Sequence, residues 1–446
     1  MNIILKITPK SSCKSEVIDK QITSIVTRED LIVIGFDEKD IDRITSDWNA
    51  NSIKHSDSNF IFEAQPRYND KNFYGIGAKR TDKKIIMMEI SSLNSIEQNR
   101  SKIKFVGLHA HSGVGSPFDG FGYPQDHMDF CFDNGGQALA LTDHGNMNGF
   151  AYQVLHAKKM KKLGKDFKPI FGVEAYFIPC VNEWRKQYEE HKADKKKAKA
   201  LSSDQSGTNV EEEGATKSKG RSINRSRHLV LIAMNQTGLN NIFKLVSESY
   251  SEKYFYRKPR MDYNLLAKYS DGVIAMSACL GGVYAGCYWE NIEDGEEAVL
   301  NCMRETTRTM VGIFGDRWYG ELQWNAVPEQ HALNKYIIQM HKEFGIKLVS
   351  TADSHYPTPT AWKDRELYKR LGWLGRGAPE WLDMTLPGSV QDMDYELYPK
   401  NGDQMWEDYK KYSQGHDYED ELILLSIEES HTIAFERIEK FIPDTT

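Results

Sequence analysis

The 446-residue sequence lacks long apolar runs, net positive charge and paired cysteines. No stretch approaches the ~20 apolar residues that a membrane-spanning helix needs, so we expect no membrane partner. The formal net charge of −7 argues against broad coating of nucleic acid, and a phosphate-bearing partner would have to meet a local basic patch or a metal. The six cysteines form no CxxC pair, which favours a reducing, cytoplasmic location over a disulfide framework.

Nucleotide-binding glycine motifs are also missing, because neither GxGxxG nor GxxxxGK[ST] follows any apolar run. What the sequence contains instead, from residue 103 onward, is a series of seven apolar runs separated mostly by helix-like stretches. The runs are KFVGLHAH, ALALTDHG, PIFGVEAYF, HLVLIAM, GVIAMSACL, WYGELQW and KLVSTADSHY. Such alternation predicts an α/β fold with a parallel sheet, and seven units in roughly 250 residues favour a closed barrel over an open sheet.

Three other segments differ from the barrel pattern in composition. Residues 1–102 predict a small α+β domain in which we find no chemistry. Residues 183–227 carry lysine runs and small polar residues without an apolar period, which predicts a mobile charged insertion in a barrel over residues 103–360. Residues 361–446 predict a helical C-terminal extension that packs on the barrel and closes with a helix in ELILLSIEESHTIAFERIEKF.

Metal-ligand residues stand at the ends of five apolar runs. These residues are His109 with His111, Asp143 with His144, Glu174, Cys279, and Asp353 with His355. Side chains two apart on a strand share a face, so the paired histidines point the same way. Because the C-terminal strand ends of a parallel barrel converge on one mouth, these residues predict one metal site built from distant parts of the sequence.

Each of these residues has an ordinary structural interpretation when taken alone. A single histidine after a strand is commonly a hydrogen-bonded core residue. Cys279 could be a small buried apolar side chain, and Asp143 and Asp353 could cap the following helices. We favour the metal site because these independent explanations would have to coincide at five strand ends.

The motifs resemble the polymerase and histidinol phosphatase (PHP) domain at the start of bacterial DNA polymerase III alpha subunits. The resemblance extends over residues 104–446, and YELYPKNGDQMWEDY is similar to the segment that follows that domain. It implies a distorted seven-stranded (β/α)7 barrel of the PHP type. The matching motifs are LHAHS, ALALTDHGNMNG, KPIFGVEAYF, RHLVLIAMNQTGLNNIFKLVS, YFYRKPRMDYNLLAKYSDGVIAMSACLGG and VSTADSHY.

The resemblance implies nine metal ligands and two or three divalent ions, with the glutamate bridging. The implied ligands are His109, His111, Asp119, His144, Glu174, His228, Cys279, Asp353 and His355. All nine positions hold a metal-binding side chain, although His228 opens its apolar run instead of ending it. Imidazole, carboxylate and one thiolate suit zinc, with manganese or iron as alternatives. Such ions lower the pKa of water toward ~7 and clamp phosphoryl oxygens.

Four of the acidic and imidazole side chains are the candidate catalytic residues, with Asp143 orienting an imidazole from behind. They are Asp143, His144, Glu174 and Asp353. The segment YFYRKPR is a candidate substrate-binding patch, in which bases stack on rings and guanidinium groups bind phosphate, or else an ordinary solvated loop. Its candidate residues are Tyr254, Tyr256, Arg257, Lys258 and Arg260.

These features lead to three functional hypotheses. The first is a metal-dependent phosphoesterase on nucleic acid, in particular a 3′–5′ exonuclease that acts on single-stranded DNA ends in replication or proofreading. The second is a small-molecule phosphatase of the histidinol phosphatase type. The third is a non-catalytic replisome subunit that docks to a separately encoded polymerase. We expect no DNA synthesis by this chain alone, and the D-x-D at Asp392 and Asp394 lies in a short polar loop that is typical of a turn.

Overall fold

The computed structural model describes residues 101–202, 226–374 and 385–443, with side chains omitted for 195–202, and the backbone of six short strands before residue 101. The chain divides into two compact units, residues 1–100 with 156–167 and residues 101–155 with 168–446. In the first unit, one antiparallel sheet has the order β3-β2-β1-β6, and β4 pairs with β5. The strands are β1 Ile3–Thr8, β2 Ser12–Val17, β3 Ile22–Thr27, β4 Ala64–Tyr68, β5 Tyr74–Ala78 and β6 Met87–Met88. The helical part of the predicted α+β domain lies outside the described residues.

The second unit is built on a curled, mixed seven-stranded sheet. Its strands are β7 Ala138–Leu141, β8 Lys168–Phe177, β9 Arg227–Ala233, β10 Arg260–Met261, β11 Val273–Met276, β12 Trp318–Leu322 and β13 Lys347–Ser350. The order is β7-β8-β9-β11-β12-β13, and the short β10 pairs with the end of β8. This arrangement confirms the predicted α/β class and the strand count.

Residues 107–111 close the curl into a distorted barrel. Single bridges join Gly107 to Leu139 in β7 and Ala110 to Ser354 in the segment after β13. The amide of Ala140 donates to the carbonyl of Gly107 at 2.8 Å, and the amide of Ser354 donates to the carbonyl of His109 at 3.0 Å. The opening histidine segment therefore lies at the seam between the first and last strands of the barrel.

The prediction of a wholly parallel sheet is wrong for β9. This strand pairs antiparallel with both β8 and β11, whereas β7–β8, β11–β12 and β12–β13 are parallel pairs. Apolar runs that are buried on both faces do not reveal strand direction, so the pattern could not show the reversal. Because β9 is reversed, its first residues lie at the edge where the neighbouring strands end, and His228 reaches the other ligands.

Alternate residues of the strands form two apolar layers. Within β9, Val230 and Ile232 belong to a cluster with inward residues of the other strands, while Leu229 and Leu231 belong to a cluster shared with the helices. The inner cluster fills the barrel as a packed core and includes Ile433, which follows the last α-helix. Both faces of the strands are buried, which explains their continuous apolar sequence.

Helices cover the outside of the barrel. They are α1 Pro124–Asp133, α2 Phe150–Lys162, α3 Val181–Ser202, α4 Gln236–Ser249, α5 Tyr263–Lys268, α6 Val283–Asn291, α7 Glu296–Phe314, α8 Pro328–Phe344, α9 Trp362–Leu374, α10 Gly402–Tyr412 and α11 Asp420–Thr432. A π-helical turn, Ile433–Arg437, extends α11, so the predicted closing helix is confirmed with a change of geometry at its end. Of the helices that the structure describes, none combines the length and apolar composition of a membrane span.

Two expectations from composition need correction. The first part of the predicted insertion, up to Ser202, is helical in α3, because its Glu, Lys and Ala residues favour helix and Trp184 packs against the core. The remainder, 203–225, lies outside the described residues, and Arg227 already belongs to β9. The second concerns the cysteines: Cys287 in α6 and Cys302 in α7 form a disulfide, although they are 15 residues apart and match no short motif.

Candidate metal centre

The structure brings the nine predicted ligands together at one edge of the barrel. They come from the strands of the barrel and from the segments next to them, and two pairs, His109 with His111 and Asp353 with His355, share a segment. In each of three sets of side chains, the ligand atoms lie within 4.8 Å of one another. The sets share members, so together they form one continuous cluster. The sets are His111, His144 and His355; His109, His111 and Glu174; and His144, Glu174 and His228.

Glu174 stands at the middle of the cluster. One carboxylate oxygen, Oε1, lies 3.3 Å from His109 Nε2 and 3.2 Å from His228 Nδ1. The other, Oε2, lies 3.3 Å from His111 Nε2 and 2.8 Å from His144 Nδ1. Position 174 lies in the middle of β8, so a rigid strand holds the carboxylate between two pairs of imidazoles. This geometry is that of a carboxylate able to bridge two ions.

Asp353 faces the opening histidine pair from across the seam. Its Oδ1 lies 3.3 Å from the Nε2 atoms of both His109 and His111. The two imidazole centroids are 5.0 Å apart, which confirms that the histidines share a face. Asp353 has a φ of 47°, in the left-handed region that non-glycine residues rarely occupy.

Asp119 offers a single oxygen to the cluster. Its Oδ2 lies 2.8 Å from His144 Nε2 and 3.4 Å from His355 Nε2. Its Oδ1 accepts a 2.6 Å hydrogen bond from Arg365 Nη2, and Arg365 Nε donates to the Asp119 backbone carbonyl at 2.8 Å. The buried guanidinium thus fixes the orientation of the carboxylate.

Cys279 completes the set from the turn after β11. Its Sγ lies 3.8 Å from His228 Nδ1 and accepts a hydrogen bond from the Gly281 amide at 3.4 Å. Burial and the carboxylates of Glu174 and Asp353 raise the pKa of this thiol well above its usual range. In the absence of a cation the sulfur is therefore a neutral thiol.

Backbone strain in the described residues is confined to the surroundings of the predicted site. Four non-glycine residues have positive φ: Phe118, Arg257, Ala278 and Asp353. Phe118 and Ala278 directly precede the ligands Asp119 and Cys279, and the other two are themselves predicted site residues. Such conformations cost of order 1–3 kcal/mol each and persist where the surrounding structure imposes them, as at functional sites.

The hydrogen bonds of the cluster identify what is needed to fill it. Six buried ligand atoms have no hydrogen-bond partner: His109 Nε2, His111 Nε2, His144 Nδ1, Glu174 Oε1, Glu174 Oε2 and Asp353 Oδ1. Buried polar atoms normally find a partner, and all six belong to the facing side chains just described. Imidazole nitrogens and carboxylate oxygens that converge in this way fit divalent cations.

Charge distribution in the cluster also favours cations. Although burial opposes it, the carboxylates of Asp353, Glu321 and Glu174 hold the pKa of His109 well above its usual range. Likewise, against the effect of burial, Glu174 and Asp119 raise the pKa of His144 to about 10. Burial lowers the pKa of His111 to about 3, and positive charge on His144 adds to the shift. The metal-free cluster therefore keeps protons on some imidazoles, and bound ions would release them.

Asp143 lies behind the cluster and contacts no imidazole. Its carboxylate accepts hydrogen bonds from the Ser112 amide at 2.7 Å, the Ser112 hydroxyl at 2.9 Å and the Ser116 hydroxyl at 2.8 Å. The Ser116 oxygen in turn lies 3.2 Å from His111 Nδ1. Asp143 is therefore linked to an imidazole through Ser116, and that imidazole is His111 rather than its chain neighbour His144.

Sequence reasoning missed two residues that hold the ligands. Glu321 at the end of β12 lies 2.7 Å from His109 Nδ1 and accepts a 2.5 Å hydrogen bond from Thr351. A glutamate inside the apolar run WYGELQW was the available signal. Arg365 in α9, which fixes Asp119, had no signal, because it stands among other charged residues in a helix.

The predicted substrate patch divides into buried and exposed residues. Tyr254 and Arg260 are buried, and Arg260 Nε donates to the Tyr254 carbonyl while its guanidinium lies 3.7 Å from the Trp184 ring centroid. These two residues pack the protein and do not present groups to solvent. Arg257 and Lys258 are exposed, and Lys258 Nζ lies 4.1 Å from the Tyr176 ring centroid, next to the cluster.

Comparison with known proteins gives a family match over part of the chain. Residues 107–325 match the PHP domain. DNA polymerase III subunit alpha of Aquifex aeolicus is 33% identical over 255 residues, and that of Thermus aquaticus is 33% identical over 258 residues. Each match covers 57% of this chain and 18% of the relative, so the chain spans about a fifth of the length of the curated relatives it matches.

The chain also has a match among solved structures. A two-domain protein from Bacteroides vulgatus that contains a predicted PHP-like metal-dependent phosphoesterase has a TM-score of 0.29 and 15% identity, covering 58% of this chain and 57% of that one. The motifs suggested a resemblance over residues 104–446, but the sequence matches cover a shorter part of the chain. The range that matches the PHP domain ends before Asp353. From residue 107 to residue 325, this chain contains a PHP domain, similar to that part of bacterial DNA polymerase III alpha subunits.

Proposed function

We propose that the chain is a metal-dependent phosphoesterase that hydrolyses phosphodiester bonds in nucleic acid, as a 3′–5′ exonuclease. The observation that supports this most directly is the group of six unpartnered, buried ligand atoms that converge on one edge of the barrel. A purely structural domain would lose stability by burying so many unsatisfied polar atoms. Similarity to DNA polymerase III alpha subunits favours nucleic acid as the substrate.

The ligand geometry supports two or three divalent ions of the zinc or manganese class, with iron as the alternative. Glu174 would bridge, Asp353 would serve the His109–His111 side, and Asp119 would serve the His144–His355 side. Bound there, divalent ions supply Lewis acidity for the attack of water on a phosphate ester. Cys279 and His228 would complete the coordination from β11 and β9.

The protein's own residues would position these groups. Glu321 fixes the ring of His109 through Nδ1, Asp143 and Ser116 fix that of His111, and Arg365 fixes Asp119. Side chains oriented by such outer hydrogen bonds keep the geometry that ligation requires. Lys258, beside the cluster on the face of Tyr176, would attract a phosphate of the substrate.

The test combines metal analysis with two substrates. Protein purified without chelator should contain two or three ions per chain, and should degrade a 3′-labelled single-stranded oligonucleotide from that end. Chelator should abolish cleavage, and zinc or manganese should restore it. Hydrolysis of a chromogenic phosphate monoester but not of the oligonucleotide would favour the small-molecule phosphatase. Metal-loaded protein inactive on both would favour the docking subunit, and folded protein that cleaves without metal would contradict the proposal.

A further inference from the structure

Aromatic rings lie beside the metal centre and, as a separate stacked pair, at the protein surface. Tyr176, two residues after Glu174 in β8, stacks on His144 with ring centroids 5.9 Å apart and an interplanar angle of 20°. Tyr250, the residue after α4, is close enough to interact electrostatically with Tyr176. Phe255 then stacks on Tyr250, with centroids 5.9 Å apart and planes 23° from parallel. One ring thus stacks at the ligand cluster, and a second stacked pair lies near the protein surface.

Tyr250 and Phe255 are exposed although they are large and apolar. Their exposed fractions are 50% and 44%, whereas most aromatic rings of the barrel unit are buried or half-buried. A stacked pair of rings in water leaves its outer faces without a partner. In a chain that keeps most of its rings inside, this pair is a candidate binding surface.

A tight turn presents two cations beside these rings. Residues Tyr256 and Lys258 exchange backbone hydrogen bonds of 3.1 and 2.6 Å, and Arg257 between them has a φ of 58°. The Tyr256 ring is held at 4.9 Å from that of Trp184, and its hydroxyl bonds that of Tyr188 at 3.0 Å. The turn is thus anchored on one side, and it exposes Arg257 and Lys258 on the other.

We propose that Tyr250 and Phe255 form a stacking platform for the unpaired bases of a single-stranded nucleic acid. Arg257 and Lys258 bind its phosphates and lead the strand to the metal centre. This inference rests on the proposed function and specifies its substrate as a strand several nucleotides long. Aromatic faces bind any unpaired base, whereas the bases of a duplex are already stacked on one another. The adjacent cations complement a polyanion and not an apolar protein surface.

Binding should be measured by fluorescence anisotropy in the presence of chelator, so that cleavage does not interfere. The probes are a labelled twelve-nucleotide dT strand, the same strand with all bases removed, and a twelve-base-pair duplex. Phe255→Leu removes the ring but keeps an apolar side chain. The matched control is Phe435→Leu, because Phe435 is 39% exposed and lies beside Lys168, at the barrel end opposite the cluster.

Wild-type protein should bind the dT strand more tightly than the abasic strand or the duplex. Phe255→Leu should weaken dT binding about tenfold, in line with the loss of one base–aromatic stack, and should leave abasic binding unchanged. Phe435→Leu should change neither. A labelled U strand distinguishes RNA from DNA, and either strand is compatible with the platform. If Phe255→Leu lowers protein yield, Tyr250→Leu gives the same measurement.

Three results would overturn the platform: equal affinity of the wild type for dT and abasic strands, equal losses on both strands in Phe255→Leu, or tighter binding of the duplex. These outcomes are separate from failure of the proposed function, which is measured with wild-type protein on a chromogenic phosphodiester. Metal-dependent hydrolysis of that ester with no base preference would retain the phosphoesterase and reject the platform. Tighter binding of the dT strand than of the abasic strand, without hydrolysis of the ester, would retain the platform and reject the phosphoesterase.

Discussion

Strand β8 has one buried charged residue at its start, Lys168, and another further along, Glu174, and their surroundings differ. Lys168, its first residue, donates 2.5 Å hydrogen bonds to the carbonyls of Ala434 and Ile438. Glu174, six residues later, has no hydrogen bond on either carboxylate oxygen. Both side chains are almost completely buried. The buried ammonium group of Lys168 has hydrogen-bond partners within the fold and stabilises it. The carboxylate of Glu174 lies among other ligand atoms without partners, which is the arrangement of a cation-binding site.

The two ends of the barrel differ in the same way. At the Lys168 end, the π-helical turn after α11 places Ile433 and Ala434 in the inner core, so the barrel is closed by apolar packing. At the Glu174 end, imidazoles and carboxylates take the place of such packing. The comparison predicts that substitutions at one end change chemistry and those at the other change stability.

The largest effect on hydrolysis should come from Glu174→Gln. The amide keeps the shape of the side chain but cannot bridge two cations between four imidazoles. Since loss of even an outer hydrogen-bond partner costs about 10- to 100-fold in metal affinity or activity, we expect hydrolysis to fall more than 100-fold. Metal content should drop by at least one ion per chain, as measured by elemental analysis. Near-normal turnover with full metal content would show that the centre lies elsewhere.

A smaller loss is expected from Arg365→Ala, which frees Asp119 Oδ1 without removing a ligand. One ion should bind about 10- to 100-fold more weakly in competition with a fluorescent chelator. The matched control is Arg370→Ala, since Arg370 lies on the same helix and also pairs with Glu366 but does not contact Asp119. Arg365→Lys should restore part of the affinity. Equal losses in the Arg365→Ala and Arg370→Ala variants would mean that Arg365 only anchors α9.

The smallest effect on hydrolysis should come from Lys168→Met, at the start of β8. Two buried carbonyls lose their donor, so we expect the free energy of unfolding to fall by about 2 kcal/mol in urea titrations. Metal content and turnover per folded molecule should be unchanged. If this variant lost metal, the Lys168 end of the barrel would also affect the metal centre, and the two ends would not have separate roles.

The sequence was sufficient for the fold class and for most of the ligand cluster. Periodic apolar runs predicted the barrel, and ligand-type residues at strand ends such as Asp353 predicted which side chains the structure brings together. His228 could not be derived that way, because strand direction depends on pairing between distant segments. Similarity of motifs supplied that residue before the structure explained it.

Residues outside the first contact layer were harder to predict. Arg260 was expected on the surface because arginine is usually solvated, yet it is buried against Trp184. Local composition shows which groups are available but not which side of a turn they occupy.

The seam of the barrel has a consequence for chain topology. His109 and His111 lie on the segment that closes the barrel at its seam. Asp353 and His355 follow the last strand of the barrel, ~240 residues later in the sequence. Joining two points so far apart in an unfolded chain costs about 5 kcal/mol of entropy. An ion held by both pairs would act as a reversible cross-link between these two segments. Hydrogen exchange at the backbone amides of His111 and Ser354 would then report whether this cross-link is formed or broken.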